Sequence, residues 1–187
     1  HLSSEFQVNT YTVNSQWSPS VAFDADGDFV VVWLGDQVSP RGVFGQQFDS
    51  AGIAVSQAFR IDETSQGSIW DVRNSSVAMS ANGTFVVVWE EENYYYPSYY
   101  ESNVYARRFS SDGTAVGSIS SVGSASEVSV DPSCAIEADG DFVIVWAPGR
   151  IDGQRYASTG ASLGAQLQIA ESCPGLGCEE TSVSVLP

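Results

Sequence analysis

The sequence has few of the side chains on which catalytic and nucleic-acid sites usually depend. It contains one histidine, His1, and its seven basic residues are all arginines, so lysine is absent. A single histidine leads us to expect no Ser-His-Asp or Cys-His arrangement within this chain. It also excludes a copper site built on the N-terminal residue, because that arrangement needs a second histidine. No classical catalytic signature is left.

Basic residues and long apolar runs are also scarce. Against 23 acidic residues, the seven arginines leave a net charge of −16, which repels phosphate backbones, so we expect no nucleic-acid partner. No run approaches the roughly 18 apolar residues of a membrane span, so none is expected. The acidity suits a secreted protein, a high-salt setting, a surface that gathers divalent cations, or solubility alone.

A repeat organises what is present. Three similar segments are found at residues 20–33, 76–89 and 133–146, and they end in Trp33, Trp89 and Trp146. Each contains a short apolar run, an Asp-Gly or Asn-Gly pair, and a run of β-branched residues. This pattern predicts a β-hairpin, with a type I′ turn at the glycine. The valine runs before the tryptophans are apolar on both faces, which favours buried strands and a core role for the three tryptophans.

A second hairpin follows in each unit, so the unit has four short strands and about 50 residues, as in propeller blades. No sustained helical periodicity occurs. We therefore predict an all-β, propeller-like fold of three four-stranded antiparallel blades. Single strands are expected on either side, at Glu5–Val8 and Thr181–Leu186. Because closed propellers usually need at least four blades, the fold is expected to be partial or completed by a partner.

The repeat also predicts the domain organisation. One repeat domain spans residues 1–187, with repeat 1 at about 9–61, repeat 2 at about 62–119 and repeat 3 at about 120–169. Residues 170–187 are expected to be a linker and the first strand of a further unit. The polar segments 9–19, 62–75 and 120–132 are expected to connect the units.

Two acidic turns are candidate calcium sites. The carboxylates are those of Asp24, Asp26 and Asp28 in the first unit and Glu137, Asp139 and Asp141 in the third. Alternating acidic residues and glycine supply the oxygen ligands that Ca²⁺ prefers. The second unit keeps the turn without the carboxylates, which favours turn geometry as the constant feature. Calcium is the one candidate cofactor.

A tyrosine-rich segment follows the second repeated tryptophan, and its length predicts an insertion loop over residues 90–102. Its candidate ligand-binding side chains are those of Tyr94, Tyr95, Tyr96, Tyr99 and Tyr100. Tyrosine rings stack on sugars or partner surfaces at low entropic cost. The alternative is that they cover an exposed edge or pack on the neighbouring unit.

The cysteines and two sequons predict a disulfide, a free thiol and candidate attachment sites for glycans. Cys173 and Cys178 flank a Pro/Gly turn and are expected to form a local disulfide, which favours an oxidising compartment. Cys134 replaces a strand valine and is expected to be a buried free thiol. Asn74 and Asn82 stand in Asn-X-Ser/Thr sequons and are candidate glycosylation sites.

The repeat resembles a known kind of sequence in Phe6–Thr10, Gln16–Ala22, Asp26–Trp33 and Gly45–Gly52. These segments are similar to the tandem repeats of roughly 50 residues found in large secreted or surface proteins of bacteria. The resemblance implies stacked β-blades and a secreted, extracellular or cell-surface location. It implies no particular activity.

Three functional hypotheses follow. The first is a non-catalytic extracellular structural or adhesive protein that self-associates or binds neighbouring repeats, because unpaired strand edges invite a partner. The second is a carbohydrate-binding, lectin-like propeller. The third is a glycan-active enzyme that uses carboxylates, although no pair stands out among the abundant acidic residues.

Overall fold

The computed structural model describes residues 5–36, 41–62, 69–95, 99–125, 130–147, 149–170 and 183–184. At residues 69–70, 94–95, 99–100, 124–125 and 170 it describes the backbone alone. Every regular element in these ranges is a β-strand. Within them, no helix is long and apolar enough to cross a membrane.

The strands form three four-stranded antiparallel sheets, which we call blades 1, 2 and 3 in chain order. Blade 1 contains β1 (Gln16–Phe23), β2 (Phe29–Gly35), β3 (Gly42–Phe48) and β4 (Phe59–Arg60). Blade 2 contains β5 (Ile69–Met79), β6 (Phe85–Tyr95), β7 (Tyr99–Phe109) and β8 (Ala115–Ala125). Blade 3 contains β9 (Ser133–Ile136), β10 (Phe142–Trp146), β11 (Ile151–Tyr156) and β12 (Ser162–Ala170). The predicted all-β, propeller-like fold of three four-stranded antiparallel blades is confirmed.

The hairpins form at the predicted glycines with a different turn. Gly27, Gly83 and Gly140 have φ angles of 85°, 82° and 90°, whereas the Asp or Asn before each has no positive φ. A type I′ turn needs positive φ at both central residues, so that prediction is wrong. The Gly27 N–H instead donates to the Asp24 carbonyl, which closes a type I turn followed by a left-handed glycine. We call this end of the blades the turn end and the opposite end the far end.

The second strand of each blade is apolar on both faces, and one face of each blade packs on the opposite kind of face of the next blade. The face carrying Val30, Val32 and Leu34 of blade 1 packs on the face carrying Phe85 and Trp89 of blade 2. Blade 2 repeats this with Val86 and Val88, which pack on Phe142 and Trp146 of blade 3. We call these the valine face and the aromatic face. Trp33, Trp89 and Trp146 are 4%, 0% and 2% exposed, which confirms their predicted core role.

The first strands of the blades lie side by side, with β1 next to β5 and β5 next to β9. They form the inner edge of the array, where a propeller has its axis. The fourth strands, β4, β8 and β12, lie at the outer edge.

The predicted flanking strands are not observed as strands. Residues 5–8 have no strand pairing with any other described residue. Phe6 nevertheless packs on Phe48 of blade 1, with ring centroids 5.5 Å apart, much as Phe59 of blade 1 packs 5.7 Å from Phe109 of blade 2. Of Thr181–Leu186 only residues 183–184 are described, and they are not in a strand.

Blade 2 is longer than predicted. The expected insertion loop at residues 90–102 is largely strand, because β6 and β7 continue as a ladder that pairs Tyr94 with Tyr100 and Tyr95 with Tyr99. The β-propensity of tyrosine favours this extension. The longer β7 also offers a partner to residues 120–125, which were predicted as a linker and belong to β8.

Candidate functional site

The inner strands share a strained feature at the same distance before each repeated tryptophan. Ser18, Asn74 and Asp131 have φ angles of 51°, 50° and 33°, which non-glycine residues rarely adopt. In blades 1 and 2 the strand register shifts at this point, as in a β-bulge. Such strain costs of order 1–3 kcal/mol per residue and clusters at functional sites.

These three positions surround one pocket at the inner edge, which we call the central pocket. Its volume is about 330 Å³. It is lined by three equivalent tripeptides, namely Ser18–Ser20, Asn74–Ser76 and Asp131–Ser133. Hydroxyl, amide and carboxylate groups therefore converge on a space at the lower end of the range for small-ligand sites. These groups suit a ligand with many hydroxyl groups.

A fully buried carboxylate lies next to the central pocket. Glu90 on β6 is 0% exposed, and its Oε2 accepts a hydrogen bond of 2.9 Å from Asn74 Nδ2. Its Oε1 is buried without a hydrogen-bond partner among the described residues, and so is Ser75 Oγ. An unsatisfied buried carboxylate oxygen is expensive, so its presence calls for a functional explanation.

A charged network joins blades 1 and 2 at the far end. Arg73 Nη2 lies 2.9 Å from Glu92 Oε2, and Arg73 Nε lies 3.2 Å from Asp71 Oδ2. Arg41 connects Asp71 to Asp36 at 3.2 and 2.8 Å. Burial raises the pKa of Glu92, with Arg73 opposing the shift and Glu90 adding to it. The network therefore contains one further carboxylate on the same strand as Glu90, that of Glu92.

Two further buried carboxylates, those of Asp62 and Glu91, lie between blades 1 and 2. Asp62 is 0% exposed and accepts hydrogen bonds from the Val43 N–H at 2.8 Å and from Arg60 Nε at 3.0 Å. Glu91 is 7% exposed and accepts a hydrogen bond of 3.0 Å from Trp89 Nε1. Burial raises the pKa of both carboxyls, and the hydrogen bond from Arg60 limits the shift at Asp62. These groups belong to the blade interface.

The acidic turns lie at the turn end, where their carboxylates serve the backbone. Asp24 Oδ1 accepts hydrogen bonds from the Asp26 and Asp28 N–H groups, and Asp28 Oδ1 accepts one from the Ser50 N–H. In blade 3, Asp139 and Asp141 do the same for the N–H groups of Asp141 and Ser158. Glu137 lies 3.5 Å from Arg155. In the described part of the chain, no three His, Cys, Asp or Glu side chains are grouped to hold a metal ion. Calcium binding there stays a prediction.

The remaining candidates from the sequence are the tyrosines, the cysteines and the two sequon asparagines. Tyr96, Cys173 and Cys178 lie outside the described residues, and the side chains of the other four tyrosines are not described. Cys134 is the predicted buried free thiol, and burial raises its pKa to about 12. Asn74 is half-buried at the central pocket, a poor position for a glycan, whereas Asn82 lies on an exposed turn.

Sequence reasoning missed Asn74, Glu90 and Asp131 as a group. The available signal was the polar tripeptide at constant spacing before each tryptophan. The spacing of the tripeptides does not single out Glu90, because Glu91 and Glu92 beside it are also glutamates. Only the strand register decides which of the three lies next to the central pocket.

No protein-family model matches the chain, and no curated protein matches it. Among solved structures, it is similar to an endo-arabinase from Bacteroides thetaiotaomicron, with 19% identity and a TM-score of 0.50, over 85% of this chain and 62% of that one. A weaker likeness, with 13% identity and a TM-score of 0.45, is to a structure from the GH130 family of mannoside phosphorylases, over 84% of this chain and 52% of that one. The chain thus spans less than two thirds of either structure.

The likeness to the endo-arabinase shows the propeller-like fold, and it corrects the leading functional prediction. A non-catalytic structural or adhesive protein was expected, whereas the similar structure with a TM-score of 0.50 is that of an endo-arabinase, an enzyme. The expectation of a non-catalytic protein is therefore corrected and no longer stands as the leading hypothesis.

Proposed function

We propose that this chain is a glycan-active, carboxylate-dependent glycoside hydrolase whose sugar-binding site is the central pocket. The observation that carries the proposal is Glu90, a buried carboxylate that holds the pocket residue Asn74 through one oxygen and leaves the other without a described partner. The fold shared with an endo-arabinase supports the substrate class. The extracellular setting that the repeat resemblance implies is consistent with polymeric glycans.

Glycoside hydrolysis needs two carboxyl groups, one to protonate the leaving oxygen and one to activate water or attack the anomeric carbon. We assign one of these roles to Asp131, which lines the pocket, and the positioning of the Asn74 amide to Glu90, which is fully buried behind Asn74. The Asn74 amide and the serine hydroxyls bind sugar hydroxyls. The strained backbone at Ser18, Asn74 and Asp131 fixes these groups before the sugar arrives.

The test is release of reducing ends from a panel of polysaccharides that includes arabinans and mannans. Asp131→Asn is expected to lower kcat at least about 100-fold, the usual contribution of a general acid or base, whereas Glu90→Gln is expected to raise KM by loosening Asn74. Asp26→Asn, at an exposed turn, is the matched control and is expected to retain full activity. Full activity in Asp131→Asn would sink the assignment.

Glycan binding without turnover is the second candidate, favoured by the near-equivalence of the three pocket tripeptides. If the wild-type protein shows no turnover, calorimetric titration with oligosaccharides tests whether it binds glycans. Binding weakened by Asn74→Ala would support a lectin-like function. No binding and no turnover across the panel would overturn both candidates.

A further inference from the structure

The two blade interfaces share a polar contact at the turn end. Gln47 Nε2 of blade 1 donates to the Ser111 carbonyl of blade 2 at 2.8 Å, and Arg108 Nη1 of blade 2 donates to the Ser158 carbonyl of blade 3. Gln47 and Arg108 are equivalent, because they pair with Val30 and Val86. We call this contact the clamp.

Glycine makes room for the clamp in each receiving blade. A Cβ at Gly113 would lie 2.3 Å from Gln47 Oε1, and one at Gly160 would lie 2.9 Å from Arg108 Nη2. Both glycines have positive φ, at 80° and 88°. The second turn of a blade is therefore shaped to receive the long polar side chain of the preceding blade.

An isoleucine at the outer edge completes the interface. Ile61, directly after β4, is 0% exposed and packs on blade 2. Ile169 on β12 holds the same place in blade 3, since a Cβ at Gly45 would lie 3.0 Å from Ile61 Cδ1 and one at Gly153 would lie 3.0 Å from Ile169 Cδ1.

Among the described residues, no further blade packs on these groups of blade 3. Ile169 is 57% exposed and Leu167 on the same strand is 51% exposed. The clamp position is taken by Arg155, which pairs with Val143 as Arg108 pairs with Val86. The Arg155 side chain is 51% exposed and lies 3.5 Å from Glu137. The valine face of blade 3 therefore has the construction of an interface that is buried elsewhere in the chain.

The complementary surface exists on blade 1. Its aromatic face, which carries Phe29 and Trp33, is covered by Phe6 and Val8. Residues 5–8 hold this position without strand pairing, and Phe6 stays 40% exposed. This cover is weaker than the packing of a whole blade.

We propose that the valine face of blade 3 binds the aromatic face of blade 1 of a second copy of this chain, with residues 5–8 of that copy displaced. Arg155 leaves Glu137 and donates to the Ser50 carbonyl of the second copy, and Ile169 becomes buried. The contact is heterologous, so it closes a ring or continues head to tail. It also places the second copy's β1 beside β9 and extends the wall of the central pocket. The association does not depend on the proposed chemistry.

The test is sedimentation velocity over a concentration series with Phe6→Ser, which loosens the cover. This variant is expected to associate more tightly than the wild type. Either a dimer or a longer oligomer would support the contact. Adding Ile169→Ser is expected to raise the Kd at least about tenfold. Arg155→Ala is expected to raise it by a smaller factor.

Val116→Ser is the matched control, because Val116 of blade 2 pairs with the clamp residue Arg108 and is already 40% exposed with blade 3 in place. It is expected to leave the Kd unchanged. If Phe6→Ser fails to fold, Phe6→Leu with Ile169→Ser repeats the comparison. A monomer at every concentration, or association indifferent to Ile169→Ser, would overturn the proposal.

Discussion

Carboxylates at the two ends of the blades have opposite surroundings. At the turn end, Asp24 and Asp112 accept hydrogen bonds from N–H and hydroxyl groups a few residues away, close to solvent. At the far end, Asp62 and Glu91 are buried between blades, and their partners include an arginine and a tryptophan side chain. The same residue types thus shape a turn at one end and form a polar interior at the other. Burial decides which function an acidic residue can serve.

The largest expected difference between the two ends concerns stability. Asp62→Ala removes the partner of Arg60 and leaves the buried Val43 N–H without its acceptor, so we expect a loss of about 3 kcal/mol, typical for breaking a buried pair. Urea unfolding at neutral pH measures it. Asp62→Asn, which keeps an acceptor for Val43, should lose less. Equal losses in the two variants would show that the charge carries the whole effect.

The pH dependence should have opposite signs at the two ends. The pKa of Glu91 is raised by burial, so the folded state holds its proton more tightly and the free energy of unfolding rises as the pH falls through the folded pKa towards the ordinary value near 4.3. The pKa of Asp112 is lowered by the Ser110 hydroxyl and by Thr114. Its contribution is present above the ordinary value near 3.9 and is lost as the pH falls towards the folded pKa.

Unfolding of wild type, Glu91→Gln and Asp112→Asn between pH 7 and pH 3 tests these signs. Glu91→Gln should remove part of the gain on acidification, and Asp112→Asn should remove part of the loss. Relief of the overall negative charge is nearly common to all three proteins and largely cancels in the differences. A steeper acid gain in Glu91→Gln would refute the sign at the far end.

A smaller effect is expected at a single turn. Asp24→Ala loses two hydrogen bonds from main-chain N–H groups that water can replace, so we expect about 1 kcal/mol or less. Chemical unfolding measures the change, with Ala25→Ser on the same turn as the control. A loss as large as that of Asp62→Ala would mean that the turn carboxylates do more than cap the backbone.

The smallest expected effect is that of calcium. Asp24 and Asp28 already accept hydrogen bonds from the backbone, so we expect calcium and EDTA to give the same thermal midpoint. Differential scanning fluorimetry with magnesium as the control measures this. A calcium-specific increase that disappears in Asp28→Ala would restore the acidic turns as metal sites.

The sequence was sufficient for the hairpins and the number of blades, because both follow from local patterns. Asp-Gly and Asn-Gly pairs fix the chain reversals, and the apolar runs before Trp33, Trp89 and Trp146 predict buried strands. The insertion loop was predicted wrongly because residues 90–95 have neither the glycine turn pair nor the apolar run that marks the other hairpins, so no local pattern indicates their pairing with β7.

The central pocket is likewise partly visible in the sequence and partly a result of how the blades pack. The polar tripeptides before each tryptophan are visible in the sequence, and their regular spacing comes from the repeat itself. The sequence by itself determined which residues recur. Only the tertiary structure decided that β1, β5 and β9 lie side by side, so that Ser18, Asn74 and Asp131 face one space and Glu90 lies buried next to it. Convergence of distant strands depends on how whole blades pack, and burial of a carboxylate depends on its neighbours in space.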